Sequence, residues 1–493
     1  MKKMKRVLAV VLSVVMALSL AACGSSTTNG TTTANTAAGT VAANTANTAA
    51  AANTTANAAG TDSTGSSAYS AITLGTTGTD LNVELKFLTN RTDMLKDDYS
   101  GTSWAQYLTE FNKMYPNIKV NIEGLTNYAD ESLLRLQGGD WGDIMMIPAV
   151  AKTDLSTYFV SYGSKEDIAK EVNYINNWTY QGQVYGIPCT ANAQGIVYNK
   201  KVFSDAGITT LPTTPDEFIQ DLKTIKEKEP KVIPLYTNYA AGWTLGAWDA
   251  YIAGGATGLS SWTNDGLMHG SNPFSDPGDG THAYNVYKIL YDAVQGGLTE
   301  EDYTTTDWEG SKGMINSGKI ACMVLGSWAV PQMQGAGDNA ADIGYMPFPM
   351  TVNGQRYASA GPDYNFGINC KDDADKQQAA MIFVKWMTEK SGFSYNEGGL
   401  PIAADDTKVP DLYSEFTAAN VTYLSDDPAP DGEEDLLNNL NADSELNVNN
   451  GGNDKVAAII EHAANKDEEF KAIMDEWNQK WTDAQQQEGV SVK

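Results

Sequence analysis

Cysteine is scarce in this chain, with only four among 493 residues. Cys189, Cys322 and Cys370 show no CxxC pairing and no histidine neighbour at the spacing of a metal site. Each lies in an apolar stretch, where a free thiol packs as a small buried hydrophobic group. No disulfide framework is therefore expected, and the fold must depend on an apolar core, which this length permits.

Histidine is rarer still, and the usual signatures of catalysis are missing. The three histidines lie far apart, none has zinc-ligand spacing, and no GxSxG motif occurs. Acidic runs at 97–98, 300–302 and 433–435 could supply the two carboxylates of a glycosidase, but their polar surroundings indicate solvated surface. We therefore expect a protein that is not an enzyme and that needs no cofactor or metal.

Positive charge is also in short supply. The chain has 33 basic and 61 acidic residues, a net charge of −28, and removal of the four basic residues at the N-terminus would bring it to −32. Such a negative field repels nucleic acids and anionic lipid surfaces. The composition thus excludes a DNA or RNA partner.

The chain has few long apolar runs, and the N-terminal one is too short to span a bilayer comfortably. Lys2, Lys3, Lys5 and Arg6 precede a mostly apolar stretch at 7–22, whereas a spanning helix needs about 20 residues. This pattern is typical of a secretory signal. It ends in Leu-Ala-Ala before Cys23, which resembles the lipobox of bacterial lipoproteins, whose cysteine is acylated on its thiol and becomes the new N-terminus.

Residues 24–79 consist almost entirely of Ser, Thr, Asn, Ala and Gly. Such a segment buries too little apolar surface to offset the entropy of ordering. We predict that residues 23–79 are a lipidated cysteine followed by a flexible linker, whose coil would span roughly 40 Å. A tether of this kind has a purpose only if Cys23 is anchored, so the two features support each other.

The remaining chain reads as an α/β protein. Residues 81–87 alternate as a strand, 104–115 carry apolar residues at helical spacing, and 118–122 alternate again. Helices are also indicated at 215–229, where Thr214 and Glu217 suit a capping box, and at 454–486, the latter in one or two pieces. This order predicts a parallel sheet flanked by helices, and the length favours two lobes.

Four stretches, taken in order, resemble the family 1 extracellular solute-binding proteins, the maltose-binding-protein-like receptors of sugar ABC importers. They are a helix-Pro-strand segment, a Gly-Asp strand, a Tyr-Gly-Ile-Pro turn with the segments after it, and a strand leading to Gly-Ser-Trp and then to Pro-Phe-Pro. By number they are 111–120, 142–146, 184–218 and 318–349. Residues 260–280 and 426–435 depart from the family pattern.

The resemblance implies a two-lobed periplasmic-binding-protein-like fold of type II, in which each lobe is a sheet flanked by helices and hinge crossings join the lobes. Crossings are expected near 188–195, 359–364 and 398–401. The expected organisation is a signal peptide at 1–22, the lipidated linker at 23–79, an N-terminal lobe at 80–190 completed by about 365–400, and a C-terminal lobe at 191–362 completed by about 401–493.

Aromatic residues are plentiful, with 11 Trp and 24 Tyr, and several lie at turns beside glycine and polar residues. A sugar site pairs aromatic platforms for the CH faces with planar polar groups for the hydroxyls. Trp328 lies where the resemblance places a platform tryptophan. Trp243 and Trp248 follow a predicted strand end. For all three, a position in the core is the alternative.

Polar candidates lie at strand ends and crossings, which line the cleft of open α/β sheets. Arg91 and Asp93 follow the first strand and could offer a donor and an acceptor to sugar hydroxyls, with a surface ion pair as the alternative. Asp363 and Tyr364 lie at an expected crossing, where Asp363 could instead cap a turn. Further candidates are Asn127, after the second strand, and Asn192, at the first crossing.

We therefore expect a monomeric, lipid-anchored receptor on the outer face of a Gram-positive type of cell membrane. It would capture a carbohydrate, in particular an oligosaccharide, and deliver it to the permease subunits of an ABC importer. One alternative is a binding protein for another solute, such as a polyamine or an anion. Another is a secreted carbohydrate-active enzyme. Calcium could bind the Asp/Gly turn at 276–280, although its spacing does not match an EF-hand loop.

Overall fold

A computed structural model describes residues 69–99, 101–430, 432–449 and 453–493 of the protein. The predicted signal peptide, the predicted lipidation site Cys23 and the predicted linker up to residue 68 lie outside the described residues. The linker prediction runs too far at its C-terminal end. Tyr69 and Ile72 are buried, and the Tyr69 ring packs edge-on against Tyr162 at 5.8 Å. In the sequence, Tyr69 is the only aromatic residue of the polar segment, and this feature indicates that the folded part begins before residue 80.

Strands and helices alternate along the described chain. The strands are β1 Val83–Thr89, β2 Ile118–Gly124, β3 Ile144–Met146, β4 Gly163–Ser164, β5 Thr179–Tyr180, β6 Gln183–Val184, β7 Ile187–Pro188, β8 Ala191–Asn199, β9 Ile233–Leu235, β10 Ile320–Gly326, β11 Ile343–Met346, β12 Tyr357–Pro362, β13 Asn365–Ile368 and β14 Thr422–Leu424. The helices are α1 Trp104–Met114, α2 Tyr128–Gly138, α3 Leu155–Tyr158, α4 Lys165–Ile168, α5 Lys200–Asp205, α6 Pro215–Lys228, α7 Gly246–Asp249, α8 Gly254–Thr257, α9 His282–Gln295, α10 Trp308–Asn316, α11 Ala329–Gln334, α12 Ala374–Glu389, α13 Phe393–Asn396, α14 Ser414–Ala418, α15 Leu436–Ser444, α16 Asp454–Asn465 and α17 Phe470–Gln487.

The first sheet has the order β2-β1-β3-β13-β7. β1 pairs in parallel with both β2 and β3, as the predicted β-α-β start requires, while β13 runs antiparallel to β3. Helices α1 and α12 cover it, and Phe111 of α1 packs edge-on against Phe383 of α12 at 5.2 Å. The N-terminus of α1 is fixed by a capping box in which Ser103 and Gln106 satisfy each other's backbone amides.

The second sheet has the order β14-β12-β8-β10-β9, and β11 also pairs with β8. Strand β10, which lies between β8 and β9, is buried along its whole length, as its unbroken apolar sequence predicts. Helix α6 begins after Thr214, whose side chain accepts a hydrogen bond from the Glu217 amide. The predictions of this helix, of a two-piece C-terminal helix and of an α/β fold are confirmed. The three described cysteines are free, as expected.

The chain passes between the two sheets at three places. β7 of the first sheet leads into β8 of the second, and β12 of the second leads into β13 of the first. A third passage follows α13, where Leu400 bridges to Ala191. Gly399 is required there, because a Cβ at this position would lie 1.9 Å from the Thr190 hydroxyl. All three passages coincide with the predicted crossings.

Residues 260–280 and 426–435, which depart from the family pattern, pack against each other. The Thr263 hydroxyl donates to Asp426 at 2.6 Å, and the Asn264 amide donates to the Asp427 and Pro428 carbonyls at 3.1 and 3.0 Å. His269 contacts Glu433 at 2.9 Å. These hydrogen bonds therefore hold the two segments against each other. Within the described ranges, none of the helices has the length and apolar character needed to cross a bilayer.

Candidate ligand-binding cleft

The floor of the space between the sheets is built where β8 and β12 pair. Asn192 lies opposite Gly361 in this pairing, and the Asp363 amide donates to the Thr190 carbonyl at 2.9 Å. The Ser327 hydroxyl, at the end of β10, donates to the Asn192 side chain at 3.1 Å. The Asn192 amide in turn hydrogen-bonds to the Asp363 carboxyl. Two predicted site residues, Asn192 and Asp363, are thus joined directly.

The Asp363 side chain is open to solvent but has protein densely packed around it. This environment raises the pKa of its carboxyl, because the charged form is poorly solvated, and the nearby Arg91 guanidinium partly offsets the effect. An exposed carboxylate held by an amide and facing a guanidinium is a strong hydrogen-bond acceptor. It is therefore suited to polar groups of a ligand.

Tyr364 forms the next part of this floor. Its ring packs edge-on against Tyr128 at 5.3 Å, and burial raises the pKa of its hydroxyl to about 12. Tyr128 is itself buried, and its hydroxyl donates to the Met146 carbonyl at 2.7 Å. Asn127, another predicted residue, precedes α2 immediately beside Tyr128. Tyr364 therefore packs against the residue that follows Asn127, so these two predicted positions lie near the same wall of the cleft.

Arg91 is the centre of a network of charges on the first lobe, which is the N-terminal lobe built around the first sheet. Its Nε and Nη2 atoms donate to the two Asp93 oxygens at 2.9 and 2.8 Å, and Nη2 also donates to the Tyr99 hydroxyl at 2.9 Å. Nη1 lies 2.6 Å from Oε2 of the buried Glu397. Burial opposes the charge on Asp93, but the Arg91 hydrogen bonds outweigh it and lower the pKa of this carboxyl.

This network changes the roles expected of Arg91 and Asp93. Four donor contacts of the guanidinium are already used within the protein, so Arg91 chiefly fixes the carboxylates around it. Asp93 keeps free acceptor capacity at a partly exposed position, with 38% of its side chain accessible. The sequence did not reveal Glu397, because its contact with Arg91 joins positions about 300 residues apart.

Three tryptophan rings form an open cluster on the second lobe, which is the C-terminal lobe built around the second sheet. Trp243 lies 5.7 Å from Trp328 and 5.2 Å from Trp308, and the Trp308 and Trp328 rings are 5.7 Å apart. Trp243 is 52% exposed, although buried packing is normal for a residue of this size. Gly326 allows the arrangement, since a Cβ there would come within 2.6 Å of the Trp328 indole nitrogen. Trp308 was not predicted as a site residue.

Trp248 has a different position from the other predicted tryptophans. It is only 3% exposed and packs edge-on against Phe348 within the core of the second lobe. The short helix α7 turns it inward, next to the buried ion pair between Asp249 and Lys455. The structure thus places Trp248 away from any surface that a ligand could reach.

A cavity of about 730 Å³ lies between the lobes, within the usual range of roughly 300–1,000 Å³ for small-molecule sites. Gln194, two residues along β8 from Asn192, lines it, as does Pro362, which precedes Asp363. The cavity is therefore continuous with the polar floor. Its lining combines aromatic, amide and charged side chains, namely Lys152, Tyr174, Asn176, Asn177, Trp178, Asn264, Asp426, Glu433, Glu434, Asn438 and Asn449.

None of these lining residues was predicted from the sequence to bind the ligand, although one signal was available. Trp178 follows two asparagines, and a tryptophan beside polar residues outside an apolar run is the general feature that also drew attention to Trp243. By contrast, Asp276 and Asp279 accept hydrogen bonds within their own turn, from the Gly278 amide and from Thr281. Across the described ranges, no cluster of three or more potential metal-ligating side chains occurs.

Two open sheets joined by three crossing segments, with a cleft between them, define the two-lobed binding-protein fold of type II. The sequence model described as bacterial extracellular solute-binding protein matches residues 97–392, and the chain belongs to this family.

Similar proteins are known by sequence and by structure. The chain is 27% identical over 311 residues to the multiple sugar-binding protein of Streptococcus mutans, covering 60% of this chain and 70% of that protein. It is 52% identical, with a TM-score of 0.82, to a manno-oligosaccharide specific solute-binding protein of Bifidobacterium animalis subsp. lactis in complex with mannotriose, covering 85% and 99% of the two chains. An ABC-transporter binding protein from the same organism, in complex with mannobiose, is 53% identical with a TM-score of 0.82, covering 85% and 98%.

Proposed function

We propose that this protein captures a neutral oligosaccharide outside the cell and delivers it to an ABC importer. The observation that carries the proposal is the pairing of an open tryptophan cluster with a polar, carboxylate-bearing cleft floor. Sugar rings have apolar CH faces, which stack on indole rings, and a rim of hydroxyls, which need both donors and acceptors. Trp243, Trp308 and Trp328 supply the first surface, while Asn192 and Asp363 supply polar partners.

The relatives narrow the ligand class to be tested first. The two Bifidobacterium proteins were crystallised with mannotriose and mannobiose, and each shares about half of its residues with this chain over nearly its full length. We therefore propose a β-linked or α-linked manno-oligosaccharide of two or more units as the ligand. A cavity of about 730 Å³ between the lobes offers room for more than one ring.

Tryptophan fluorescence titration with a panel of sugars tests this proposal. Mannobiose and mannotriose should shift the emission and raise the melting temperature, whereas mannose alone should have a weaker effect. A polyamine and inorganic phosphate serve as controls for the other solute classes. If no mono- or oligosaccharide changes either signal, the carbohydrate proposal is wrong. Chromatography of the sugars after incubation tests the enzyme alternative, and any cleaved product would contradict a purely binding role.

We further propose that residues 1–22 direct export and that lipid on Cys23 holds the receptor as a monomer at the outer face of the membrane. Supporting this are the basic and apolar N-terminus, the lipobox-like end and the polar linker that follows. Replacing Cys23 with alanine should release the protein into the medium while sugar binding stays unchanged. Retention of that variant in the membrane fraction would contradict the lipid anchor.

We also propose boundaries for the two lobes. The N-terminal lobe comprises about 69–190 and 365–400, and the C-terminal lobe comprises about 191–362 and 401–493. Closure of these lobes about the three crossings would enclose the sugar between the tryptophan cluster and the Arg91 network.

A further inference from the structure

Lys152 stands out on the wall that the first lobe contributes to the cavity. It lies in the loop after the carboxyl end of β3, where loops of open α/β sheets face the cleft. The side chain is half-buried and lines the cavity. Among the described residues, no carboxylate lies within 4.0 Å of its ammonium group, so this cation has no ion-pair partner in the present lobe arrangement.

Acidic residues of the second lobe face it across the cavity. Glu434 lines the same cavity and Asp435 follows it at the start of α15, and neither carboxylate has a cationic partner within 4.0 Å among the described residues. Both charges act on Lys152: burial lowers the pKa of its ammonium group, while Glu434 and Asp435 oppose that shift. Lys152 and Glu434 thus line the same cavity with opposite charges, and the two are not paired with each other.

The acidic side of this arrangement is held firmly in place. Thr263 binds Asp426, Asn264 binds the Asp427 and Pro428 carbonyls, and His269 binds Glu433. Glu434 itself accepts a hydrogen bond from the Gly432 amide at 2.9 Å. Because its base is fixed to the second lobe, the acidic segment can approach Lys152 chiefly through movement of one lobe relative to the other.

We infer that Lys152 and the acidic segment around Glu434 and Asp435 form an electrostatic contact between the lobes that holds the closed, sugar-loaded form. The inference rests on the proposed sugar-binding function and assigns Lys152 a positioning role. Closing the cleft would shorten the distance between opposite charges and exclude water from between them, and both changes strengthen the attraction. A residue of this kind slows ligand release by holding the two lobes together.

The test measures mannotriose affinity and dissociation rate for Lys152→Gln, Glu434→Gln and the double variant. Lys119→Gln is the matched control, because Lys119 is an exposed lysine on the edge strand β2 with no ion pair among the described residues. Lys152→Gln and Glu434→Gln should each weaken binding about three- to tenfold, mainly through faster dissociation. The double variant should lose less than the product of the two single effects, which is the signature of a shared interaction.

Ionic strength separates this role from a merely structural one. Raising salt from about 20 mM to 500 mM should weaken sugar binding by the wild-type protein and by Lys119→Gln, yet leave Lys152→Gln nearly unchanged. The charge-swapped pair Lys152→Glu with Glu434→Lys should regain affinity relative to either single change. Equal affinity of Lys152→Gln and Lys119→Gln, or independent effects in the double variant, would overturn the inference. If the wild type binds no sugar at all, the proposed function fails instead.

Discussion

Trp243 gives the most direct prediction about sugar binding, because its exposure can be converted to an energy. It is 52% exposed, which corresponds to about 130 Å² if the side chain presents about 250 Å². A sugar ring that covers half of this area removes about 65 Å² from water, worth about 1.6 kcal/mol at 25 cal/mol per Å². Trp243→Ala should therefore raise the Kd for mannotriose about 15-fold.

Isothermal titration calorimetry is the appropriate assay, since the substitution itself alters the fluorescence signal. Trp243→Phe keeps a smaller platform and should lose only about fourfold in affinity, because roughly half of the contact area remains. Leu259→Ala is the matched control. Leu259 is also 52% exposed but lies outside the tryptophan cluster. A Kd for Trp243→Ala within twofold of the wild-type value, with an unchanged melting temperature, would refute the assignment of this cluster to the ligand.

Other variants probe the remaining parts of the molecule. Trp328→Ala should weaken sugar binding by more than tenfold in the same calorimetric assay, since this ring contacts both other tryptophans. Asp363→Asn should weaken binding yet raise the melting temperature at pH 7. The protein packed around Asp363 raises its pKa, so its ionised form destabilises the fold above that pKa. The difference should shrink as the pH falls below this raised pKa and vanish below the ordinary pKa of aspartate. Lys455→Met leaves the Asp249 carboxylate, only 4% exposed, without its partner and should cost about 3–5 kcal/mol in urea denaturation.

Helices and strands were predicted correctly where the residues of one continuous segment are enough to determine them. The alternation of residues 118–122, the proline-started helix at 215 and the unbroken apolar run of β10 all specify local structure through their own spacing. The same holds for the three crossings, since their glycines and prolines mark breaks between periodic segments. Predicted residues at such breaks, Asn192 and Asp363, consequently lie together at the cleft floor.

Side-chain direction was harder to predict, because it depends on packing between distant segments. Trp243 and Trp248 share the same local pattern, yet one is open and the other is buried against Phe348. Glu397 and Lys152 gain their surroundings from partners hundreds of residues away in the chain, and no local spacing encodes such pairs. The linker boundary was misjudged for the same reason, since Tyr69 packs against Tyr162.

Strand β13 has a consequence for how the molecule acquires its structure. It occupies a place between β3 and β7, so residues 365–368 complete a sheet whose other strands all lie before residue 189. A chain emerging from its N-terminus cannot close this sheet until nearly 370 residues have appeared, and the second lobe's strands β8–β12 emerge first. Contacts of such large sequence separation slow folding. The first sheet should therefore gain protection slowly, although most of its strands are synthesised early, and pulse-labelled hydrogen exchange during refolding can observe this.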